Sequence, residues 1–389
     1  MTGNTSSPFW RSKRIISILI QAAFAIVVAA AFFYIIKNTI SGMEKIGIKL
    51  GFDFLSKTAG FSIGEKIIDY SPADSYARAV LVGITNTLKV AIVGIILTSI
   101  IGVAVGVARL SSNWIVNKIS GLYIDIIRNT PLLVQIFIWY FAVFLNLPKI
   151  QESISWCGII YFSNRGAVVP WFETTGVFWT WCIFLSIGIS SGVYLWKKKT
   201  MQQIETGEEQ RPLWWAAGAV LVSVVIAFIV TQKLPCHLSI PTIEGSMFVG
   251  GYKVTPEFAS ILIALVVYTS TYIAEIVRGG ILAIHKGQKE AAKALGFKDF
   301  DILRLIIFPQ TIRIIIPPVT SQYLNLIKNS SLAVAIGYPD LFNVSNTILN
   351  QTGRAVEMIT IILLIYLSFS LATSIIMNIF NIHYKLVER

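Results

Sequence analysis

The segment Gln288-Lys-Glu-Ala-Ala-Lys-Ala-Leu-Gly-Phe-Lys-Asp-Phe-Asp-Ile-Leu-Arg-Leu-Ile-Ile-Phe-Pro-Gln310 is a polar, basic stretch between two strongly apolar runs. Its pattern predicts a short amphipathic helix, a glycine stop at Gly296, a second short helix and a proline boundary at Pro309. A loop that only joins two membrane helices does not need such order. The segment is therefore interpreted as a rigid protrusion that contacts another protein in the cytoplasm.

The sequence on both sides of this segment is that of a membrane protein. The chain has 389 residues, of which 55% are hydrophobic and 13% are charged, against about 25% charged in soluble domains. Several apolar runs are long enough to cross about 30 Å of hydrocarbon. The predicted fold class is an all-α polytopic protein in a lipid bilayer. The formal charge of +12 fits a positive-inside membrane protein, and no nucleic-acid partner is expected.

About eight transmembrane helices are predicted from the apolar runs. They lie at residues 15–36, 88–108, 130–147, 176–195, 213–231, 257–277, 311–336 and 358–381. More than half of the 32 lysines and arginines fall in the short segments 1–14, 109–129, 196–212, 278–313 and 382–389. The cluster Lys197-Lys198-Lys199 is the strongest single marker, and both termini are placed in the cytoplasm. Arg11, Lys13 and Arg14 precede a first span without a cleavage site, which is interpreted as a retained helix.

Composition divides the chain into four parts. Residues 1–75 hold one span and a periplasmic segment, 76–147 form the first part of a core, and 148–250 form a two-span insertion. Residues 251–389 complete the core and contain the ordered loop, 281–310. No repeat of constant period and no inverted halves are found, although secondary transporters often show such halves.

Cysteine and histidine give no sign of a metal or catalytic site. Cys182 lies in a predicted span, while Cys157 and Cys236 fall in predicted external segments and either form a disulfide or remain unpaired. The three histidines share no ligand spacing. No metal, cofactor or catalytic residue is therefore expected.

The ordered loop has the composition of a docking helix. Glu290 is expected in the first helical turn, where a carboxylate complements the helix dipole. The small side chains of Ala291 and Ala292 allow close approach to a groove, and Gly296 can adopt the left-handed conformation that ends a helix. An interfacial helix lying on lipid is the alternative. Five apolar residues are expected to bury against the membrane domain: Leu295, Phe297, Phe300, Leu303 and Ile306.

Polar residues inside two predicted spans are candidates for a substrate path, because such groups are costly in a membrane unless paired or wet. Gln322, Asn325 and Asn329 follow helical spacings of three and four and share a face. Hydrogen bonding between packed helices is the alternative. Pro317 and Pro318 are expected to open the seventh span and kink it, and Arg128 is interpreted as a cytoplasmic anchor. The remaining candidates are Thr269, Thr271 and Ser330.

Five motifs in order carry a resemblance to a known family. The arrangement Glu290-Ala-Ala292, Gly296 and Ile306-Ile-Phe-Pro309 resembles the cytoplasmic signature of permease subunits of bacterial binding-protein-dependent ABC importers. Phe308 stands where that family often has Leu. Most of 80–145 and 255–385 is covered by this and by motifs that are similar to the polar amino-acid branch: Gly83-Ile-Thr-Asn-Thr-Leu-Lys-Val-Ala91, Ile127-Arg-Asn-Thr-Pro-Leu-Leu-Val-Gln135, Glu275-Ile-Val-Arg-Gly-Gly280 and Lys328-Asn-Ser-Ser-Leu332.

The resemblance implies a type I importer core of five spans, and the extra first span and the insertion resemble the Q-type permease of general L-amino-acid importers. It further implies that Glu290, Ala291, Ala292 and Gly296 form a coupling helix that fits a cleft of an ATP-binding subunit, itself a dimer. A second homologous permease, a periplasmic amino-acid-binding protein and amino-acid substrates are the other implied partners. The implied location is the bacterial inner membrane. Because the chain lacks a Gly-Lys-Ser/Thr phosphate loop, ATP would be hydrolysed by a separate subunit.

Two other classes of protein are weighed against this interpretation. A secondary transporter or channel would usually place Asp or Glu at mid-membrane, and the centres of the predicted spans are almost free of carboxylates. A membrane-embedded enzyme would need clustered His, Asp, Glu or Cys near one face, and the sequence shows no such cluster.

Overall fold

The computed structural model describes residues 13–45 and 51–383, and most of this length is helical. The orientation markers Arg11 and 384–389 lie outside the described residues, as do the side chains of Lys13 and Arg14. Twelve α-helices are described: α1 Lys13–Lys45, α2 Tyr76–Ala108, α3 Trp114–Arg128, α4 Leu132–Phe137, α5 Phe178–Thr206, α6 Pro212–Thr231, α7 Pro256–Leu282, α8 Lys286–Ala294, α9 Asp299–Asp301, α10 Phe308–Asn329, α11 Leu341–Thr352 and α12 Ala355–His383.

Seven of the described helices are long and apolar enough to cross a membrane, or eight if the bent pair Trp114–Arg128 and Leu132–Asn146 is one span. The prediction of about eight spans in a helical membrane protein is therefore confirmed. Three boundaries differ. The α2 helix begins at Tyr76 rather than near 88, helix α3 occupies the expected loop 109–129, and a continuous helical run extends from Asp299 to Ile336.

Within residues 51–383, eight short strands lie between the helices, and the sequence patterns predicted none of them. Runs of three or four residues are too short to show the alternating pattern from which a strand is predicted. Strands β1, β2, β3 and β8 form an antiparallel sheet in that order, and β4–β5 and β6–β7 form two further pairs. The bounds are β1 Ile154–Trp156, β2 Ile160–Ser163, β3 Gly166–Val169, β4 Trp171–Thr174, β5 Cys236–Ser239, β6 Thr242–Glu244, β7 Met247–Val249 and β8 Tyr252–Val254.

The chain separates into two compact units. The first contains the chain up to Thr87 together with Pro339–Ala372. Its core is formed by buried apolar side chains from 54–82, α11 and the start of α12, including Tyr76, Leu341 and Met358. The N-terminal end of α2 lies in this core, because Asn86 donates to the carbonyl of Pro339 at 2.9 Å. Burial within protein explains why this polar end of α2 was not predicted as part of a span.

The second unit, Leu88–Tyr338 with the chain from Thr373 onwards, is organised around α7. The α7 helix is the most buried candidate span, and α3, α4 and α10 pack against it. Helices α5 and α6 form a separate hairpin, in which Trp181 donates its indole N–H to Thr231 at 3.0 Å. The second unit therefore contains both the ordered loop and all the candidate path residues.

The α10 helix continues through Pro317 and Pro318, which lie in its interior. The prediction that these prolines open the span is wrong, because the helix already begins at Phe308 and is preceded by π-helical residues Ile302–Ile307. Helical structure therefore extends without a loop from the protruding segment into the membrane span.

Candidate functional site

The protruding segment, here called the elbow and comprising residues 285–307, begins with a histidine cap. The Nδ1 atom of His285 accepts the backbone N–H of Gly287 at 3.2 Å, and α8 starts at Lys286. Glu290 is therefore the fifth residue of the helix, and its predicted place in the first turn is wrong. The sequence pattern suggested that the helix starts at Gln288. The His285 cap, which was not recognised, places the start two residues earlier, at Lys286.

The glycine stop at Gly296 is confirmed. Gly296 has a φ of 82°, in the left-handed region that residues with a Cβ rarely adopt. Its N–H donates to the carbonyl of Lys293 at 2.9 Å, and the N–H of Phe297 donates to the carbonyl of Ala292 at 3.2 Å. These bonds satisfy carbonyls at the end of α8 and turn the chain sharply toward α9.

The elbow has a small core of its own. Ala292 is 3% exposed and packs with Ile302 and Ile307, whereas Glu290 and Ala291 are exposed. A single alanine of the motif thus anchors α8, and its neighbours face outward. This arrangement presents a short helical surface on which Glu290 and the small side chain of Ala291 are exposed.

Three of the apolar residues expected to bury are exposed instead. Leu295, Phe297 and Phe300 are 78%, 42% and 69% exposed, so their predicted burial is wrong. The π-helical turn of Ile302–Ile307 directs Ile302 and Ile307 inward, and the helical spacing used for the prediction does not hold there. Leu303 and Ile306 are partly buried against the same core.

Charges on the elbow lie at its surface. The Nζ atom of Lys293 is 3.1 Å from a carboxylate oxygen of Asp299, and that of Lys289 is 3.9 Å from the same atom. Because all three side chains are more than half exposed, these pairs contribute little to stability. The side chain of Gln310 on α10 also donates a hydrogen bond to that of Gln288 on α8. This bond connects the start of α10 to the first helix of the elbow.

The candidate path residues fall into two groups. Thr269, Thr271 and Ser330 are buried within the second unit. The hydroxyl of Thr271 donates to the carbonyl of Tyr268 at 2.7 Å, and that of Ser330 donates to the carbonyl of Ile327 at 2.8 Å. Both hydroxyls therefore form hydrogen bonds within their own helical segments.

Gln322, Asn325 and Asn329 all lie on α10, where unbroken α-helix keeps them on one face. Asn325 is exposed, and Gln322 and Asn329 are half-buried. The structure thus brings these three amides into one stripe on α10, whereas Thr269 and Thr271 are buried on α7. Their role in a substrate path stays a prediction.

Several polar contacts between helices were not predicted from the sequence. The hydroxyl of Ser99 lies 2.7 Å from that of Tyr323, and the hydroxyl of Tyr123 lies 2.7 Å from that of Ser270. These pairs join α2 to α10 and α3 to α7. Single Ser and Tyr residues in apolar runs carry no pairing signal, so only the fold identifies the partners.

A further polar cluster lies where α3 meets α4. The two segments are bent by 100°, and the guanidinium of Arg128 lies 4.8 Å from the ring centre of Tyr272. Arg128, the last residue of α3, therefore packs on α7, and its role as a cytoplasmic anchor stays a prediction. The spacing of Tyr268 and Tyr272, four residues apart on one helix face, was the available signal, and their hydroxyls are 2.9 Å apart.

The structure shows Cys157, Cys182 and Cys236 as free thiols. Among residues 13–45 and 51–383, no group of three or more His, Cys, Asp or Glu side chains could hold a metal ion.

The comparisons with known proteins agree with the fold. Residues 219–386, which include the elbow and α10, match the family described as the binding-protein-dependent transport system inner membrane component. The putative amino-acid ABC transporter permease protein YhdX of Escherichia coli is 42% identical over 95% of this chain and 94% of its own length. The chain belongs to the family of binding-protein-dependent ABC transporter permeases.

Two more relatives of this permease extend over nearly the whole chain. The general L-amino acid transport system permease protein AapQ of Rhizobium johnstonii is 42% identical over 96% of this chain and 93% of its own length. The glutamate/glutamine/aspartate/asparagine transport system permease protein BztB of Rhodobacter capsulatus is 36% identical over 96% and 94%. The resemblance noted from the motifs is thereby confirmed, and the permease is a multi-span membrane protein.

Proposed function

We propose that this permease is a subunit of an ATP-driven amino-acid importer in a bacterial inner membrane, with both termini in the cytoplasm. The observation that carries the proposal is the elbow. Glu290 and Ala291 are exposed on a helix that Ala292 holds from within and that Gly296 ends. The substrate class follows from relatives named as amino-acid permeases and matched over more than nine-tenths of this chain.

In this proposal, a separate subunit binds and hydrolyses the ATP that drives transport. The sequence has no Gly-Lys-Ser/Thr phosphate loop, so the permease itself does not bind and hydrolyse ATP through that motif. A dimer of ATP-binding subunits receives the exposed face of α8 in a cleft. A second, homologous permease completes the translocation path, and a periplasmic amino-acid-binding protein delivers the substrate.

The elbow is suited to transmit motion. Its second half, α9 and the π-helical residues Ile302–Ile307, continues without a loop into α10, which carries Gln322, Asn325 and Asn329. Closure of the ATP-binding dimer would displace α8, and the helical connection would carry that displacement to the path. Alternating access then follows from two states of the spans that nucleotide binding and hydrolysis favour in turn.

Cross-linking of the elbow in the assembled importer tests this proposal. Ala291→Cys in a variant whose three native cysteines are Ser places a thiol on the exposed face of α8. We expect a bifunctional thiol reagent to join it to an ATP-binding subunit. Gln203→Cys, exposed at the end of α5, controls for non-specific reaction. Attachment of Ala291→Cys to lipid probes alone would contradict the docking role.

A second experiment separates the importer from a secondary transporter or channel. Vesicles containing the full complex should accumulate labelled amino acid only with ATP, and uptake should survive collapse of the ion gradients. Glu290→Lys and Gly296→Pro should abolish this uptake while the permease still inserts. If ATP hydrolysis stays fully coupled to uptake in both variants, the elbow does not transmit the motion.

A further inference from the structure

The break between α3 and α4 is stabilised by its own hydrogen bonds. Pro131, with φ −56° and ψ 136°, separates the helices, which are bent by 100°. The side-chain amide of Gln135 donates to the carbonyl of Ile127 at 3.0 Å and to that of Thr130 at 2.9 Å. Gln135 is 5% exposed. A buried amide thus satisfies backbone carbonyls that the break releases from helical bonding.

The break lies deep along a membrane helix. Arg128, the last residue of α3, contacts the ring of Tyr272 on α7. Tyr272 lies ten residues before Leu282 and sixteen after Pro256, the two ends of α7, which is about 15 Å and about 24 Å along the axis. The whole helix is about 40 Å long, about 10 Å more than a hydrocarbon layer of about 30 Å. With α7 centred in that layer, the guanidinium lies about 10 Å from the nearer edge.

Arg128 carries a charge that the described protein does not neutralise. An arginine stays protonated at any physiological pH. Within residues 13–45 and 51–383, Arg128 forms no ion pair and no hydrogen bond; its guanidinium lies over the ring of Tyr272 and interacts electrostatically with Tyr268. Its side chain is exposed on the isolated chain. Charged residues inside membrane spans are costly, and they mark the paths of substrates and ions.

The cluster has the donors that a carboxylate needs. A guanidinium that rests on an aromatic ring keeps its N–H donors at its edge, and these fit the two oxygens of a carboxylate. The hydroxyls of Tyr272 and Tyr268, 2.9 Å apart on the same side of α7, add polar groups beside it. Discontinuous helices near the bilayer midplane commonly form substrate sites in transporters.

We propose that Arg128 binds the α-carboxylate of the amino-acid substrate at the break between α3 and α4, with Tyr272 positioning the guanidinium. The inference rests on the proposed function and assigns a residue to the substrate path. It replaces the cytoplasmic anchor as the role of Arg128. Gln135 holds the geometry of the break and does not contact substrate.

Direct binding to the purified complex, without the periplasmic binding protein, tests this site, because the binding protein has its own carboxylate preference. The probes are labelled L-glutamine and its α-amide, since glutamine is among the substrates named for one relative. We expect the wild type to prefer the acid. We expect Arg128→Gln to weaken binding of the acid by about tenfold or more and to remove the preference. Arg128→Lys should bind the acid more weakly than the wild type but keep part of the preference, because it keeps the charge and loses the fork of N–H donors.

Lys118→Gln is the matched control, since Lys118 is an exposed cation on the same helix and should not change either affinity. Equal affinity of wild type and Arg128→Gln for L-glutamine would overturn the site, as would a wild type without preference for the acid. If the second permease no longer co-purifies with either Arg128 variant, the charge of Arg128 belongs to a contact between subunits. That result would also overturn the substrate site. ATP-driven glutamine uptake that is unchanged in Arg128→Gln rejects only this site, whereas the absence of ATP-driven uptake of any labelled amino acid in the wild type rejects the proposed function.

Discussion

A Cβ atom added to Gly83 would lie 2.9 Å from the Cα of Leu341, so α2 and the start of α11 meet through their backbones. The hydroxyl of Thr87, one turn further along α2, accepts the N–H of Leu341 at 3.0 Å. Both contacts require the absence of a side chain at residue 83. This pair fixes the N-terminal part of α2 against α11 in the first unit.

Gly83→Ala should destabilise the permease, because the neighbouring atoms belong to backbone and cannot rotate away. We expect a loss of about 1–3 kcal/mol, seen as a lower Tm of the purified protein in detergent. Gly218→Ala is the control, since a Cβ at residue 218 of α6 meets nothing within 4 Å. Equal Tm values for the two variants would contradict the tight approach of α2 and α11.

Asp340 should make stability depend on pH. Burial raises the pKa of Asp340 from 3.8 to about 7, although its carboxylate accepts the N–H of Asn343 at 2.8 Å. The residue lies between two spans. Because the folded form holds this proton more tightly, its stabilising contribution is complete below pH 3.8 and is lost as the pH rises to about 7.

The Tm of the wild type minus that of Asp340→Asn should therefore fall as the pH rises from about 5 to about 8. Asn keeps the cap of α11 and does not titrate, so the difference isolates the carboxyl group. Asp340→Ala also removes the cap and should be less stable than Asp340→Asn by about 1 kcal/mol at every pH. A constant difference between wild type and Asp340→Asn across this range would show that Asp340 does not change its proton affinity on folding.

Neighbouring alanines of the elbow should respond differently to the same substitution. Ala291→Leu adds bulk to an exposed surface, so we expect an intact elbow but docking weakened by ~1.4 kcal/mol or more, about tenfold in affinity. Ala292→Leu overfills the small core and should cost the elbow about 1–3 kcal/mol. Limited trypsin cleavage at the elbow lysines reports its integrity, and ATPase-subunit binding reports docking. Trypsin sensitivity that rises equally in both variants would contradict the assigned faces.

The amide stripe on α10 can be tested as a unit. Replacing Gln322, Asn325 and Asn329 with Ala should change the rate or the preference of amino-acid uptake more than it changes assembly, because a path loses polar groups but the helix keeps its packing. Uptake of several labelled amino acids in vesicles and size-exclusion chromatography of the complex measure the two effects. Asn350→Ala, exposed on α11, is the control. Unaltered transport by the triple variant would show that these amides serve in helix packing and do not contribute to the path.

The structure of the elbow was predictable in part from its sequence. The stop at Gly296 was predictable, since a glycine after a helical run marks a left-handed turn. The exposure of Leu295 and Phe300 was not, because Ile302 and Ile307 fill the core around Ala292 instead, and no residue pattern in 302–307 indicates the π-helical turn that carries them. His285 as a cap was missed because histidine is an uncommon capping residue.

The membrane spans and the break show the same division. Apolar runs locate spans reliably, because hydrocarbon imposes one length and one composition on every helix that crosses it. The start of α2 is buried in protein, so the constraint does not apply there. Polar residues are tolerated between Tyr76 and Thr87, and these twelve residues of helix were therefore not predicted. Likewise, the sequence places Arg128 in a loop, and its contact with Tyr272 is visible only when α7 lies beside it in the fold.

Hydropathy, charge and a few short motifs were enough to predict that this polypeptide crosses a bilayer many times, resembles the permeases and has a helical segment that Gly296 ends. Those properties arise from local chemistry, which each segment expresses without its neighbours. The pairing of Arg128 with Tyr272, the close approach of Gly83 to Leu341 and the burial of Asp340 depend on residues far apart in the chain. Only packing of the helices brings such residues together, so only the folded structure could reveal them.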